Sequence, residues 1–254
     1  MTRLNRSTSD IWRRPPECPV ASHDEIQVWR MNLDRPAAEV HEMRGVLSED
    51  ETVRAARFVF DRHRARFIVG RASLRKILGL YVGLSPRRLE FGYGWRGKPY
   101  LKKGWDGDRL RFNLSHSGEL GLLAVIKARE IGVDVERIRQ VKEHLRLAGR
   151  YFAPGEVAAI QALPGEVHYE AFFNCWTRKE AYIKALGAGL SCPLDGFEVS
   201  LTPGAPAAML RIDGNPVSPS EWFMRALAPG RGFVAAVALK GRGYRVTCWE
   251  WRAR

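Results

Sequence analysis

Apolar and polar positions change period along this chain, and the changes lay out its elements. Residues 25–33, EIQVWRMNL, read as a strand. Residues 36–58 follow with helical spacing. There Ser48, with Glu51 three positions on, has the form of a capping box opening the second of two helices. In 61–84 Phe67, Ile68, Ala72, Leu74, Leu78 and Tyr81 recur at near-helical intervals with arginines opposite, and Gly83 and Pro86 end the pattern. Residues 89–112 are rich in glycine and read as loop. LRFNLSHSG and LGLLAVIK (110–118 and 120–127) read as two strands about a tight turn, and IGVDVER (131–137) as a third. Residues 141–163 are helical around a Pro-Gly break, and 169–187 form a long helix closed by Gly187. Short strand patterns at 196–201, 208–212, 222–227, 232–239 and 245–251 complete the chain.

Helices followed by antiparallel-looking strands occur twice. This predicts an α+β protein of two similar halves, divided at the KARE turn near residue 128: a loose arm over 1–24, one half over 25–128, the other over 129–254. At 254 residues the chain can bury a full core, and no apolar run approaches the roughly 20 residues needed to cross a bilayer. The N-terminus has no apolar secretory segment, so a cytoplasmic location is expected. The cysteines (Cys18, Cys175, Cys192 and Cys248) lack metal-site or disulfide-framework spacing. A formal charge of +13 attracts polyanions, whether nucleic acid, phosphorylated cofactors or acidic proteins, without choosing among them.

The chemistry begins at IGVDVER, where Asp134 and Glu136 share one strand face and Val133 and Val135 the other. Alone, that pattern is commonest in a half-exposed strand. The helix over 169–187 changes the picture. Trp176, Glu180 and Lys184 fall at i, i+4 and i+8 on one face of an otherwise apolar helix. If that face packs near the strand, three carboxylates meet, and like charges do not gather unpaired in a protein interior. A hard divalent cation such as Mg²⁺, which takes carboxylate and phosphate oxygens, resolves the conflict; Mn²⁺ accepts the same ligands.

At these residues the sequence resembles the 4′-phosphopantetheinyl transferases of the longer, pseudo-dimeric type. The motifs GVDVE (132–136), WTRKEAYIKALGAGL (176–190), FNLSHSG (112–118) and GKPYL (97–101) stand in the family's order and spacing, and the resemblance spans roughly residues 25–240. It implies the family's fold and its reaction. That reaction transfers the 4′-phosphopantetheine arm of coenzyme A to a serine of an apo carrier protein of fatty-acid, polyketide or nonribosomal peptide synthesis, with release of 3′,5′-ADP. It further implies that Asp134, Glu136 and Glu180 bind Mg²⁺, that Glu180 is the base for the incoming serine, and that Lys184 contacts the phosphate. Ser115, His116 and Lys98 would meet the 3′-phosphate end of coenzyme A, with Arg54 and Arg71 lining the same pocket. A monomer is implied, because two halves in one chain would make the interface that shorter relatives build between subunits. Acidic carrier proteins would account for the basic charge. No nucleic acid or membrane partner is expected.

Two competing readings come from the same residues. Basic charge with eight Trp and seven Tyr suits a nucleic-acid binder, but no nucleic-acid motif is present and the aromatics sit in apolar strand and helix contexts. A homologue that binds coenzyme A or a carrier without transfer would be expected to lack part of the acid set or Lys184, and all are present.

Overall fold

A computed structural model describes residues 10–102, 110–187, 192–212 and 219–252. The chain divides into two compact units: Trp12–Arg129 with Val246–Arg254, and Glu130–Arg245 with Met1–Ile11.

The first unit contains β1 (Glu25–Asn32), α1 (Ala37–Arg44), α2 (Glu49–Ala56), α3 (Asp61–Val82), β2 (Phe91–Tyr93), β3 (Pro99–Leu101), β4 (Leu110–Ser117) and β5 (Leu120–Lys127). The last strand of the chain, β11 (Arg245–Trp251), joins this unit in a sheet ordered β11-β1-β5-β4. Both β1 and β4 pair antiparallel with β5, and the apolar face of α3 (Ile68, Ala72, Leu74, Leu78) packs in one core with Trp29, Met31, Leu123 and Val125. Trp29 lies at the middle of that core, with the rings of Tyr81 and Trp251 each 6.0 Å away and Trp249 at 6.4 Å. Its indole N–H donates to the Tyr81 hydroxyl at 2.9 Å. These aromatics are core packing.

The second unit contains β6 (Ile131–Arg137), α4 (His144–Tyr151), α5 (Pro154–Gln161), α6 (His168–Leu186), β7 (Phe197–Val199), β8 (Met209–Ile212), β9 (Trp222–Leu227) and β10 (Phe233–Lys240). β6, β10 and β9 form an antiparallel sheet with β10 central, and α6 packs on β6 and β10. A Cβ at Gly132 would lie 1.9 Å from the carbonyl oxygen of Ala181 and 2.5 Å from the backbone N of Ala185. Only glycine lets the α6 backbone come this close to the strand. Gly187 ends α6 in the left-handed region, at φ 67°.

The α+β architecture with antiparallel sheets is as the pattern predicts. Three details differ. Residues 91–101, read as loop, form the β2–β3 hairpin. The half expected to run to residue 254 loses Val246–Arg254 to the first unit, because the strand pattern at 245–251 completes the sheet containing β1. The arm over 1–24 is not loose in its described part: Arg13 bridges to Trp249, while Asp10 pairs with Arg225 at 2.7 Å and accepts from the Ala228 backbone N–H. Residues 1–9 of that arm lie outside the described residues.

Candidate active site

Close approach of α6 to β6 places the candidate chemistry. Gly132, Asp134 and Glu136 share the face of β6 turned to the helix, and Trp176, Glu180 and Lys184 are all half-buried on α6. Asp134 is only 5% exposed, so it is no solvent-facing strand acid. The Lys184 ammonium donates to Asp134 Oδ1 at 2.6 Å and to the Val133 carbonyl at 3.3 Å. Glu136 accepts from Arg139 at 3.3 Å. Burial pushes the Glu180 carboxyl above its ordinary range. Lys184 opposes that shift, while the charges of Asp134 and Glu136 add to it. The three acids therefore share one electrostatic neighbourhood with one lysine.

Neighbours outside the expected site residues set the helix in place. Lys179 is fully buried; it pairs with Glu156 at 2.7 Å and donates to the carbonyls of Leu194 and Phe197, each at 2.6 Å. Glu156 in turn accepts from the backbone N–H groups of Ala153 and Val199. Every donor on that ammonium is used inside the core, which makes Lys179 a structural cation. Arg178 is also buried, held by Ser200, and burial brings its pKa down to about 10. The sequence signals for these were present: Glu156 stands at the third position of a helix opened by Pro154, and Gly132 interrupts a strand. The C-terminal part of the long helix motif, Ala188–Leu190, lies outside the described residues.

The other candidates belong to the first unit. Arg54 is exposed near the end of α2, its guanidinium 5.4 Å from the Phe67 ring centre. It lines a cleft of about 1020 Å³ with Glu49, Asp50, Val53, Arg57, Phe58 and Tyr93. Lys98 is half-buried at the end of the β2–β3 turn, its carbonyl accepting from Gly94 at 2.9 Å. Ser115 is buried in β4 opposite Leu122, and the neighbouring His116 is exposed. Arg71 is buried on α3, where its Nε donates to the buried Glu51 carboxylate, 2.8 Å from Oε1.

Comparison with known proteins bears on both units. The family described as "4'-phosphopantetheinyl transferase, N-terminal" matches residues 23–128, and the "4'-phosphopantetheinyl transferase superfamily" matches 130–238. A curated relative, 4'-phosphopantetheinyl transferase HetI of Nostoc sp., is 41% identical over 238 residues, covering 94% of this chain and 97% of its own. This chain belongs to the 4′-phosphopantetheinyl transferase family. It is of the longer type, and its activity is that of a phosphopantetheinyl transferase. A 4'-phosphopantetheinyl transferase of Bacillus subtilis is 30% identical over 75% of this chain and 83% of its own. Among solved structures, a holo-[acyl-carrier-protein] synthase of Thermotoga maritima aligns with 44% of this chain and 64% of its own at 20% identity and a TM-score of 0.35.

In this phosphopantetheinyl transferase, no group of three or more His, Cys, Asp or Glu side chains among the described residues stands ready to hold a metal ion. As placed, Lys184 pairs with Asp134 and Arg139 with Glu136. The donor set still has the chemistry for a hard divalent cation: three carboxylates on two packed elements, with Glu180 raised partly by the charges of the other two. Among the described residues no helix is long and apolar enough to cross a membrane.

Proposed function

We propose that this phosphopantetheinyl transferase moves the 4′-phosphopantetheine arm of coenzyme A onto a serine of an apo acyl, peptidyl or polyketide carrier protein. The observation that supports this best is the pairing of Lys184 with Asp134 at 2.6 Å, on the helix face that also holds Glu180. In the reaction a bond forms between the serine Oγ and the phosphorus next to the pantetheine. The pyrophosphate P–O bond breaks, and 3′,5′-ADP leaves with the electron pair. The Glu180 carboxylate takes the serine proton. The Lys184 ammonium offsets negative charge on the departing phosphate. Asp134, Glu136 and Glu180 would hold Mg²⁺ or Mn²⁺, which when bound supplies charge stabilisation on the pyrophosphate. In the first unit Arg54, Lys98, Ser115 and His116 bind the 3′-phosphate end of coenzyme A. The protein works as a cytoplasmic monomer, without nucleic acid or membrane.

Intact-mass spectrometry tests the reading. Apo carrier proteins incubated with this protein, coenzyme A and Mg²⁺ gain one phosphopantetheinyl group on serine, and chelator abolishes the gain. Coenzyme A binding without any mass gain would show a binder that does not transfer; no binding at all would remove the assignment of the first-unit residues. Size-exclusion chromatography with light scattering reads a mass near 28.8 kDa if the protein is a monomer.

A further inference from the structure

Arg71 and its surroundings carry an inference beyond this reading, though it rests on coenzyme A being the donor. One carboxylate, Glu51 of α2, is almost completely buried. Its Oε1 accepts from Arg71, with Nε at 2.8 Å, and its Oε2 accepts from Arg75 Nε at 2.6 Å. The Ser48 backbone N–H also donates to it, at 3.1 Å. The two arginines, one turn apart on α3, reach onward to the β2–β3 hairpin and the segment before it. Arg71 Nη2 donates to the Tyr93 hydroxyl at 3.2 Å. Arg75 donates to the carbonyls of Leu89 at 2.8 Å and Pro86 at 3.1 Å. Both guanidinium groups lie over the Phe91 ring, at 4.9 Å and 5.1 Å from its centre. A single buried acid thus joins α2, α3 and the hairpin.

The joined elements carry the residues assigned to the nucleotide. Arg54 lies one turn beyond Glu51 on α2, and Lys98 sits at the other end of the turn that follows Tyr93. Tyr93 and Arg54 line the same cleft. We propose that Glu51, Arg71 and Arg75 are positioning residues: Arg71 does not bind the phosphate itself but, through Glu51 and Tyr93, fixes the separation of Arg54 and Lys98. Pairing on both carboxylate oxygens commits the arginines to the protein, and a guanidinium already chelated by carboxylate has fewer donors for a ligand.

The test is steady-state transfer by the full chain with coenzyme A, with dephospho-coenzyme A, and with carrier varied separately. Tyr93→Phe removes only the hydroxyl that receives Arg71 and leaves the buried pairs intact. The expected result is a several-fold rise in KM for coenzyme A, with kcat and the KM for carrier unchanged. Arg71→Lys, which cannot span Glu51 and Tyr93 in the same way, gives a larger rise, and adding Tyr93→Phe to it costs nothing more. Glu51→Gln raises KM for coenzyme A and narrows the preference over dephospho-coenzyme A, while Glu51→Asp partly restores both. If Tyr93→Phe leaves KM for coenzyme A unchanged, or Arg71→Lys and Tyr93→Phe act additively, the positioning role is overturned. The same holds if Glu51→Gln lowers only the melting temperature. An inactive wild-type protein in the parallel assay would instead overturn the donor assignment on which the inference rests.

Discussion

Three single residues separate chemistry from support. Glu180 and Lys184 lie one turn apart on α6, while Lys179, next to Glu180 in sequence, points into the core and spends its charge on Glu156. Glu180→Gln keeps the shape and removes the base, so transfer should fall by about 10²–10⁴-fold with near-native circular dichroism. Activity within a few-fold of wild type would move the base elsewhere. Lys184→Ala should lower kcat more than it weakens coenzyme A binding, as separate titrations would show. Glu51 sets a pH signature of its own. Burial pushes its carboxyl up, but the hydrogen bond from Arg75 and the charges of Arg71 and Arg75 outweigh burial and leave it below its ordinary 4.5. A depressed carboxyl stabilises the fold above its unfolded value and loses that contribution as pH falls through the folded one. The melting-temperature margin of wild type over Glu51→Gln should therefore be full above pH 4.5 and shrink below it.

At the scale of elements, the contact of α6 with β6 decides whether the acids meet. Gly132→Ala forces a methyl into the Ala181 carbonyl, so the helix must move off the strand. Overpacking of this kind costs about 1–3 kcal/mol or more. Urea unfolding should show the loss, and transfer should fall as Asp134 and Lys184 separate. An unaffected midpoint would mean that the helix already stands further away. Anchoring of α6 by Lys179 and Glu156 gives a second expectation. Removing one partner, as in Lys179→Met, leaves a buried charge and should cost about 3–5 kcal/mol. Replacing both with apolar residues of similar volume should cost less, and equal losses in the single and double variants would deny the pair this role.

For the whole molecule, the division into units does not follow chain order. The last residues, Val246–Arg254, cluster with the N-terminal unit, where β11 borders β1 and brings Trp249 and Trp251 to Trp29. Ending the chain after Arg245 should thus expose β1 rather than the sheet of β6, β10 and β9. Hydrogen exchange on the truncated chain should show lost protection in residues 25–32 with 131–137 still protected, and the reverse pattern would place β11 with the second unit.

Local signals in the sequence were enough to place most elements, because period, capping and turn chemistry act over a few residues. The helices α3 and α6 and the β4–β5 hairpin are legible in this way. The β2–β3 hairpin was not, since its three-residue strands are too short for a period to show. The acids Asp134 and Glu136 and the stripe of Glu180 and Lys184 are each readable alone, and the family resemblance put them in one site. Only the tertiary structure brought together the pairs Asp134 with Lys184, Glu156 with Lys179 and Glu51 with Arg71 and Arg75. An arginine reads the same in sequence whether it awaits a phosphate or closes a buried pair. Which it does depends on what lies within about 3 Å, and that is decided by contacts between elements far apart in the chain.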